Sequence, residues 1–155
     1  MSTRIELAHE FVVAVEAGDW ERANELVPHT SPVHRQLGLT FIGREGDTLS
    51  ATMELSESVQ GFSEGTIHGG MLATFADVVS ALALTGSHAA GTERPVTTDM
   101  HIRYYRQPRS GPLKAEATVV HRGRRLLSTE CVIADAEDHV LARSTATYAV
   151  VPLRE

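Results

Sequence analysis

The sequence predicts an α+β fold in which a curved antiparallel sheet wraps around one long central helix, behind an N-terminal helical leader. Three observations predict it. The segment from Met71 to about Gly86 carries Met71, Leu72, Phe75, Val78, Val79, Leu82 and Leu84 round nearly its whole circumference, the pattern of a buried helix. Beyond Gly91 the chain is strand-like and interrupted only by short turns, and strands joined in that way run antiparallel. A hairpin pattern precedes the helix, so sheet flanks it on both sides in the chain, and the single apolar helix must pack into that sheet.

The elements follow in order. Ile5, Leu7, Ala8, Phe11, Val12 and Val15 form a helical stripe over residues 5–17, broken by Gly18-Asp19. Asp19 is placed to cap a second helix from Trp20 to Val27, ending before Pro28. This acidic leader is expected to cover a sheet edge or an oligomer contact. Segments 37–43 and 48–55 flank a turn containing Gly43, Gly46 and Asp47 and read as a hairpin. A loop rich in Ser, Gly and Glu runs from Ser56 to Ile67, and the central helix follows. Strands are expected near 95–105, 113–122, 125–136 and 139–151, with turns at Pro108/Gly111, Gly123 and Glu137-Asp138. In the third of these, Leu127, Thr129, Cys131 and Ile133 alternate with Ser128, Glu130 and Val132. In the last, Val140, Ala142, Ala146, Tyr148 and Val150 share a face. With no linker in sight, the organisation is a leader over 1–34 and one domain over 35–155.

Composition narrows the function classes. A chain of 155 residues with 42% hydrophobic and 22% charged residues buries a core without disulfides or a structural metal. Its net charge of −6 gives no overall footprint for nucleic acid. Cys131 stands alone, so neither an intrachain disulfide nor a cysteine-based zinc site is available. His9, His29, His34, His88, His101, His121 and His139 are scattered without ligand spacing, so no metal is expected. The stretch from Met71 to Leu84 is interrupted by Thr74, Asp77 and Ser80 and is too short and polar to span a bilayer. The N-terminus lacks the layout of a secretion signal. The expectation is a cytoplasmic protein without a membrane or nucleic-acid partner.

Chemistry concentrates where the central helix begins. Gly65-Thr66-Ile67-His68-Gly69-Gly70 leads into it, and Asp77 lies on it. The first amides of a helix lack intrahelical acceptors and carry the positive end of the helix dipole. Glycine lets a ligand approach them closely, which suits a carbonyl oxygen that becomes negative during reaction. The plain alternative is that Gly69-Gly70 permits tight packing or a turn. Asp77 sits among Phe75, Ala76, Val78 and Val79, where a carboxylate is costly unless paired or solvated. It reads either as a general base or nucleophile in a dry pocket, or as a cap on a neighbouring loop. Asp77 is nine residues beyond His68, about 13 Å along the axis and half a turn round it. It cannot serve an oxyanion held at the start of its own helix. If both groups act on one substrate they come from two chains, as in a two-fold dimer with antiparallel central helices.

The run His68-Gly69-Gly70-Met71-Leu72-Ala73-Thr74-Phe75-Ala76-Asp77 resembles the signature of hotdog-fold acyl-CoA thioesterases of the phenylacetyl-CoA thioesterase (PaaI-like) type. The likeness extends through Val96 to Tyr104, the Gly111 turn, Gly123 to Leu127 and the closing strand ending at Val151-Pro152, and covers about residues 35–152. The resemblance implies a hotdog fold, a homodimer or a homotetramer built as a dimer of dimers, and hydrolysis of acyl-CoA thioesters. It implies no cofactor, coenzyme A being part of the substrate. By position it makes Asp77 the catalytic carboxylate and the Gly69 amide of the partner chain the group that polarises the thioester carbonyl, with Gly70 adjacent. His68 orients the loop or contacts the thioester, and Thr97 stands where members carry a Ser or Thr that positions water or the carboxylate. Two departures accompany it. Phe62 occupies the position, six residues before the His, where many members carry Asn. Thr97 falls on the strand face opposite to Val96, Met100, Ile102 and Tyr104, so a bulge is needed to turn it toward the site.

Substrate-binding candidates are Phe62, Ser63 and Met71 near the helix start, and the turn Arg122-Gly123-Arg124-Arg125. Between residues 101 and 125 the cations Arg103, Arg106, Arg109, Lys114, Arg122, Arg124 and Arg125 face one acid, Glu116. Arginine forks suit the phosphates of coenzyme A, and the plain alternative is solvated strand ends. The leading expectation is an acyl-CoA thioesterase. A non-catalytic acyl-CoA or aromatic-ligand binder on the same scaffold is the alternative, motivated by Phe62, and a dehydratase comes third.

Overall fold

The computed structural model of the chain describes residues 3–153. The element order is α1 (Arg4–Ala17), α2 (Trp20–Thr30), α3 (Pro32–Leu37), β1 (Thr40–Glu45), β2 (Thr48–Met53), a single turn of 3-10 helix at Glu57–Val59, α4 (Gly69–Ala83), β3 (Glu93–Tyr104), β4 (Leu113–Arg122), β5 (Leu126–Ala134) and β6 (Val140–Pro152). The six strands form one antiparallel sheet in the order β1-β2-β4-β5-β6-β3. The α+β architecture expected from the sequence is the one observed, with α4 packed across β2 to β6.

Alternation explains which sheet face receives α4. Leu49, Ala51 and Met53 on β2, Leu113, Ala115, Ala117 and Val119 on β4, and Leu127, Cys131 and Ile133 on β5 are all buried. The alanines among them keep this face shallow, so Leu72, Phe75, Ala76, Val79 and Ala83 of α4 come close to it. Only one face of α4 is buried in this way. Met71, Val78, Ala81 and Leu82 are partly buried against the same core, and Thr74 and Asp77 keep partial exposure. The apolar circumference read from the sequence is therefore covered on one side only within a single chain.

The leader packs as helices, with two departures from expectation. Thr3 and Glu6 form a capping box at α1, and Gly18 ends that helix in the left-handed region at φ 70°. Asp19 caps α2 through the Arg22 amide at 3.0 Å. Helix α2 does not end before Pro28 but continues through it to Thr30. Pro28 stands in the last turn, where it removes one ladder bond, and the Thr30 hydroxyl donates to the Val27 carbonyl at 2.9 Å. The second departure is α3, which has no counterpart in the sequence reading. Ser31 caps it, Pro32 opens it and Gly38 closes it, three local signals compressed into six helical residues.

Helix α2 lies along β1, the outer strand. The Asn24 side chain accepts from the Phe41 amide at 2.7 Å and donates to the Phe41 carbonyl at 3.0 Å. One amide side chain thus stands in for a neighbouring strand at that residue. Phe41 is buried between Phe11 and Trp20, with ring centroids at 5.7 and 6.1 Å. The leader covers a sheet edge, one of the two roles expected of it. At the other edge β3 is largely exposed.

Candidate active site

The approach to α4 is held by its backbone and by two side chains, one at the end of β3 and one in the segment that follows it. Gln60 and Ile67 form a bridge, and the His68 amide donates to the Val59 carbonyl at 3.1 Å. Gln107 accepts from the Ile67 amide at 2.9 Å and donates to its carbonyl at 3.3 Å. Tyr104, at the end of β3, donates its hydroxyl to the Gly69 carbonyl at 2.9 Å. Gln107 and Tyr104 were not singled out as site residues from the sequence. Both become visible only when β3 is laid beside the start of α4.

His68 is the N-cap of α4, and its Nδ1 accepts the Gly70 amide at 3.2 Å. That bond fixes the ring as the tautomer with hydrogen on Nε2 when it is neutral. The two glycine amides are therefore not equivalent. Gly70 donates to His68, whereas the Gly69 amide has no acceptor among the described residues. Gly69 heads a helix of 15 residues, so its N–H carries the dipole's positive end toward whatever faces it.

Asp77 is held from beneath. Its Oδ1 accepts the Thr97 hydroxyl at 2.8 Å and the Tyr148 hydroxyl at 3.0 Å. Tyr148 also reaches the Asp77 backbone carbonyl at 3.2 Å. Thr97 and Tyr148 are cross-strand partners on β3 and β6, so their hydroxyls rise side by side toward one oxygen. A register shift between Thr97 and Asp99 makes this possible. It is the bulge that the placement of Thr97 required, with Thr98 as the inserted residue. The same shift corrects the face assignment of Val96, which pairs with Ala149 on the face opposite to Met100 and Ile102. The costly mid-helix carboxylate is thus paired with two hydroxyls, and the alternative of a loop cap does not hold.

Tyr148 is fully buried, and its phenol is pushed upward by burial first and by the Asp77 charge and hydrogen bond next. It stays protonated and serves as a donor. The sequence reading placed it on one face of the last strand with Val140, Ala142, Ala146 and Val150. The signal that marks it is its polar end, since a buried Tyr hydroxyl needs a partner.

The binding candidates divide. Phe62 stands free at the loop tip at 106% relative exposure, beside the exposed Ser63. Met71 is half-buried in the first turn of α4. Gly123 forms a tight turn, because a Cβ there would lie 2.8 Å from the Leu126 carbonyl oxygen. Arg124 and Arg125 project from this turn exposed. Arg122 is engaged within the chain, with Asp47 at 2.7 Å and Ser87 at 3.1 Å. Its guanidinium holds the Asp47 carboxyl below the usual value, first by the hydrogen bond and then by charge. The contact with Ser87 places the arginine turn beyond the C-terminal end of α4, about 22 Å along the axis from Gly69.

One grouping of metal-ligating side chains forms among the described residues. Asp135, Glu137 and His139 at the β5–β6 turn bring their ligand atoms within 4.8 Å of one another. The buried Asp135 carboxylate is occupied by the amides of Arg109, Glu137 and His139 at 3.1, 3.0 and 3.0 Å. The cluster ties the turn. No helix among the described residues is long and apolar enough to cross a membrane.

Comparison with known proteins gives a family match and matches to solved structures. The model of the thioesterase superfamily matches residues 64–142, a span that opens before His68 and closes in β6. A Haemophilus influenzae thioesterase of solved structure is 27% identical, with a TM-score of 0.77, covering 88% of this chain and 92% of that one. The PaaI protein of the Escherichia coli phenylacetic acid degradation operon shares the fold at TM-score 0.70 and 20% identity, over 94% of this chain and 96% of that one. A Streptococcus mutans protein bound to acetyl CoA does so at TM-score 0.63 and 22% identity, over 76% of this chain and 91% of that one.

Proposed function

The chain belongs to the thioesterase superfamily and is a thioester hydrolase, and from that premise we propose that it hydrolyses acyl-CoA thioesters at a site shared by two protomers. Asp77 of one protomer acts as general base toward water or as nucleophile, and the Gly69 amide of its partner receives the carbonyl oxygen. The observation that carries this reading is the pair of unlike preparations on one helix. A helix-terminal amide without an acceptor among the described residues lies at one end, and a carboxylate anchored through one oxygen lies about 12 Å further along. Neither can reach a substrate atom held by the other within one chain.

An antiparallel pairing of α4 helices supports the complete site. It brings the Gly69 end of one protomer toward Asp77 of its partner, and also toward the partner's exposed Arg124 and Arg125. The half-covered face of α4 and the open edge of β3 are the surfaces such a pairing covers. Arginine forks at that end suit the coenzyme A phosphates, and this fold accommodates acetyl CoA in the Streptococcus mutans neighbour. Phe62, Ser63 and Met71 border the acyl group. His68, held through Nδ1, presents Nε2–H to the thioester region, and Gly70 keeps that ring in place.

By the base route a water oxygen bonds to the carbonyl carbon while its proton passes to Asp77. The C–S bond then breaks and the CoA thiolate recovers a proton. By the nucleophile route Asp77 forms an acyl anhydride with loss of the thiolate, and water cleaves it. The Gly69 amide stabilises the oxyanion in both. Thiolate leaves readily, so neither route requires a metal or a cofactor.

The test is thiol release over short, medium, long and aromatic acyl-CoAs, for the native chain beside Asp77→Asn. The variant is expected to lose about 10²–10⁴-fold in kcat with its oligomeric mass unchanged. Undiminished hydrolysis by Asp77→Asn overturns the assignment.

A further inference from the structure

We infer that Tyr148 is a positioning residue for this reaction, locking Asp77 Oδ1 so that Oδ2 is the oxygen that acts on water or the thioester carbonyl. The inference rests on the reading of Asp77 as the catalytic carboxylate. Both observed donors to the carboxylate, Thr97 and Tyr148, go to Oδ1, and Oδ2 receives none among the described residues. A carboxylate held by one hydroxyl still swings about its χ2 torsion. Two donors from adjacent strands, one of them also bonded to the Asp77 backbone carbonyl, set both the position of Oδ1 and the plane of the group.

Tyr148 is the more rigid of the two. Its ring is wholly buried and its hydroxyl donates to Asp77, whereas Thr97 is exposed. The result is a carboxylate held through one oxygen by two hydroxyls, with its other oxygen free of donors among the described residues.

The experiment compares steady-state kinetics on one acyl-CoA that the native chain hydrolyses, for the native chain, Tyr148→Phe, Ser144→Ala and Asp77→Asn, with the thermal midpoint of each. Tyr148→Phe removes only the hydroxyl and is expected to lower kcat about 10–100-fold with KM within about twofold of native. Ser144→Ala removes a buried hydroxyl that has no hydrogen-bond partner among the described residues, on the same strand face and without touching Asp77, and is expected to keep native kcat. Native kcat in Tyr148→Phe, while Asp77→Asn is inactive, overturns the role of Tyr148 and leaves the reading of Asp77 standing. Equal losses in Tyr148→Phe and Ser144→Ala, tracking their thermal midpoints, also overturn it. Full activity of Asp77→Asn overturns the reading on which both depend.

Discussion

A Cβ built on Gly69 lies 3.6 Å from the Tyr104 ring, and one on Gly70 lies 3.4 Å from His68 Nδ1. Neither glycine has a positive φ. Within one protomer, then, neither packing nor a turn accounts for the missing side chain at Gly69, and the alternative of tight packing does not hold there. Close approach from outside is what the proposed site asks of that amide. Gly69→Ala is therefore expected to hold or raise stability by about 0.4–1 kcal/mol, since alanine loses less chain entropy in a helix. The same change is expected to lower kcat/KM about tenfold or more. Thermal melting beside thiol-release kinetics checks both halves, and a fully active variant shows that nothing approaches that amide.

At the scale of elements, the strands and α4 are legible because their signals are periodic and dense. The turns at Gly123 and Glu137-Asp138 punctuate alternating runs, and observed strand bounds fall within a few residues of those read. What was not legible is what periodicity cannot encode. A bulge inserts one residue without changing composition, so the pattern of β3 alone put Thr97 on the wrong face. Tyr148 reads only as one residue of an apolar strand face, and the fold reveals that it is buried with its hydroxyl on Asp77. The passage of α2 through Pro28 depends on the proline's position within the last turn. The β5–β6 turn carries a prediction of its own. Burial alone would raise the Asp135 carboxyl, but the amides of Arg109, His139 and Glu137, with the His139 ring adding charge, hold it below the ordinary 3.8. A depressed folded value stabilises the protein above the unfolded value, and that stabilisation is lost as pH falls through the folded one. The thermal midpoint of Asp135→Asn is expected to lie below native at about pH 6, and the gap to narrow as pH falls below about 3.8. A gap independent of pH shows that the carboxylate charge contributes nothing to the turn.

At the scale of the whole molecule, the proposed site is made by association. Sedimentation equilibrium is expected to give twice the chain mass or a multiple of it. Specific activity is expected to fall on dilution into the range where single chains form. Full activity from a single chain overturns the two-chain site. The net charge of −6 coexists with a cationic turn at Arg124 and Arg125, so the local field at the proposed phosphate end differs in sign from the whole. Added salt is expected to weaken substrate binding through that turn.

The Asn24 contact with Phe41 has a last consequence. Fibril growth by strand addition requires two templating borders on every subunit, one to receive and one to offer. Here the border at β1 is blocked at Phe41 by an amide from the subunit's own leader, with α2 beside it, leaving β3 as the more open template among the described strands. Strand-to-strand addition through that template ends when a second copy arrives, so the leader acts as a terminator of polymerisation built into every chain.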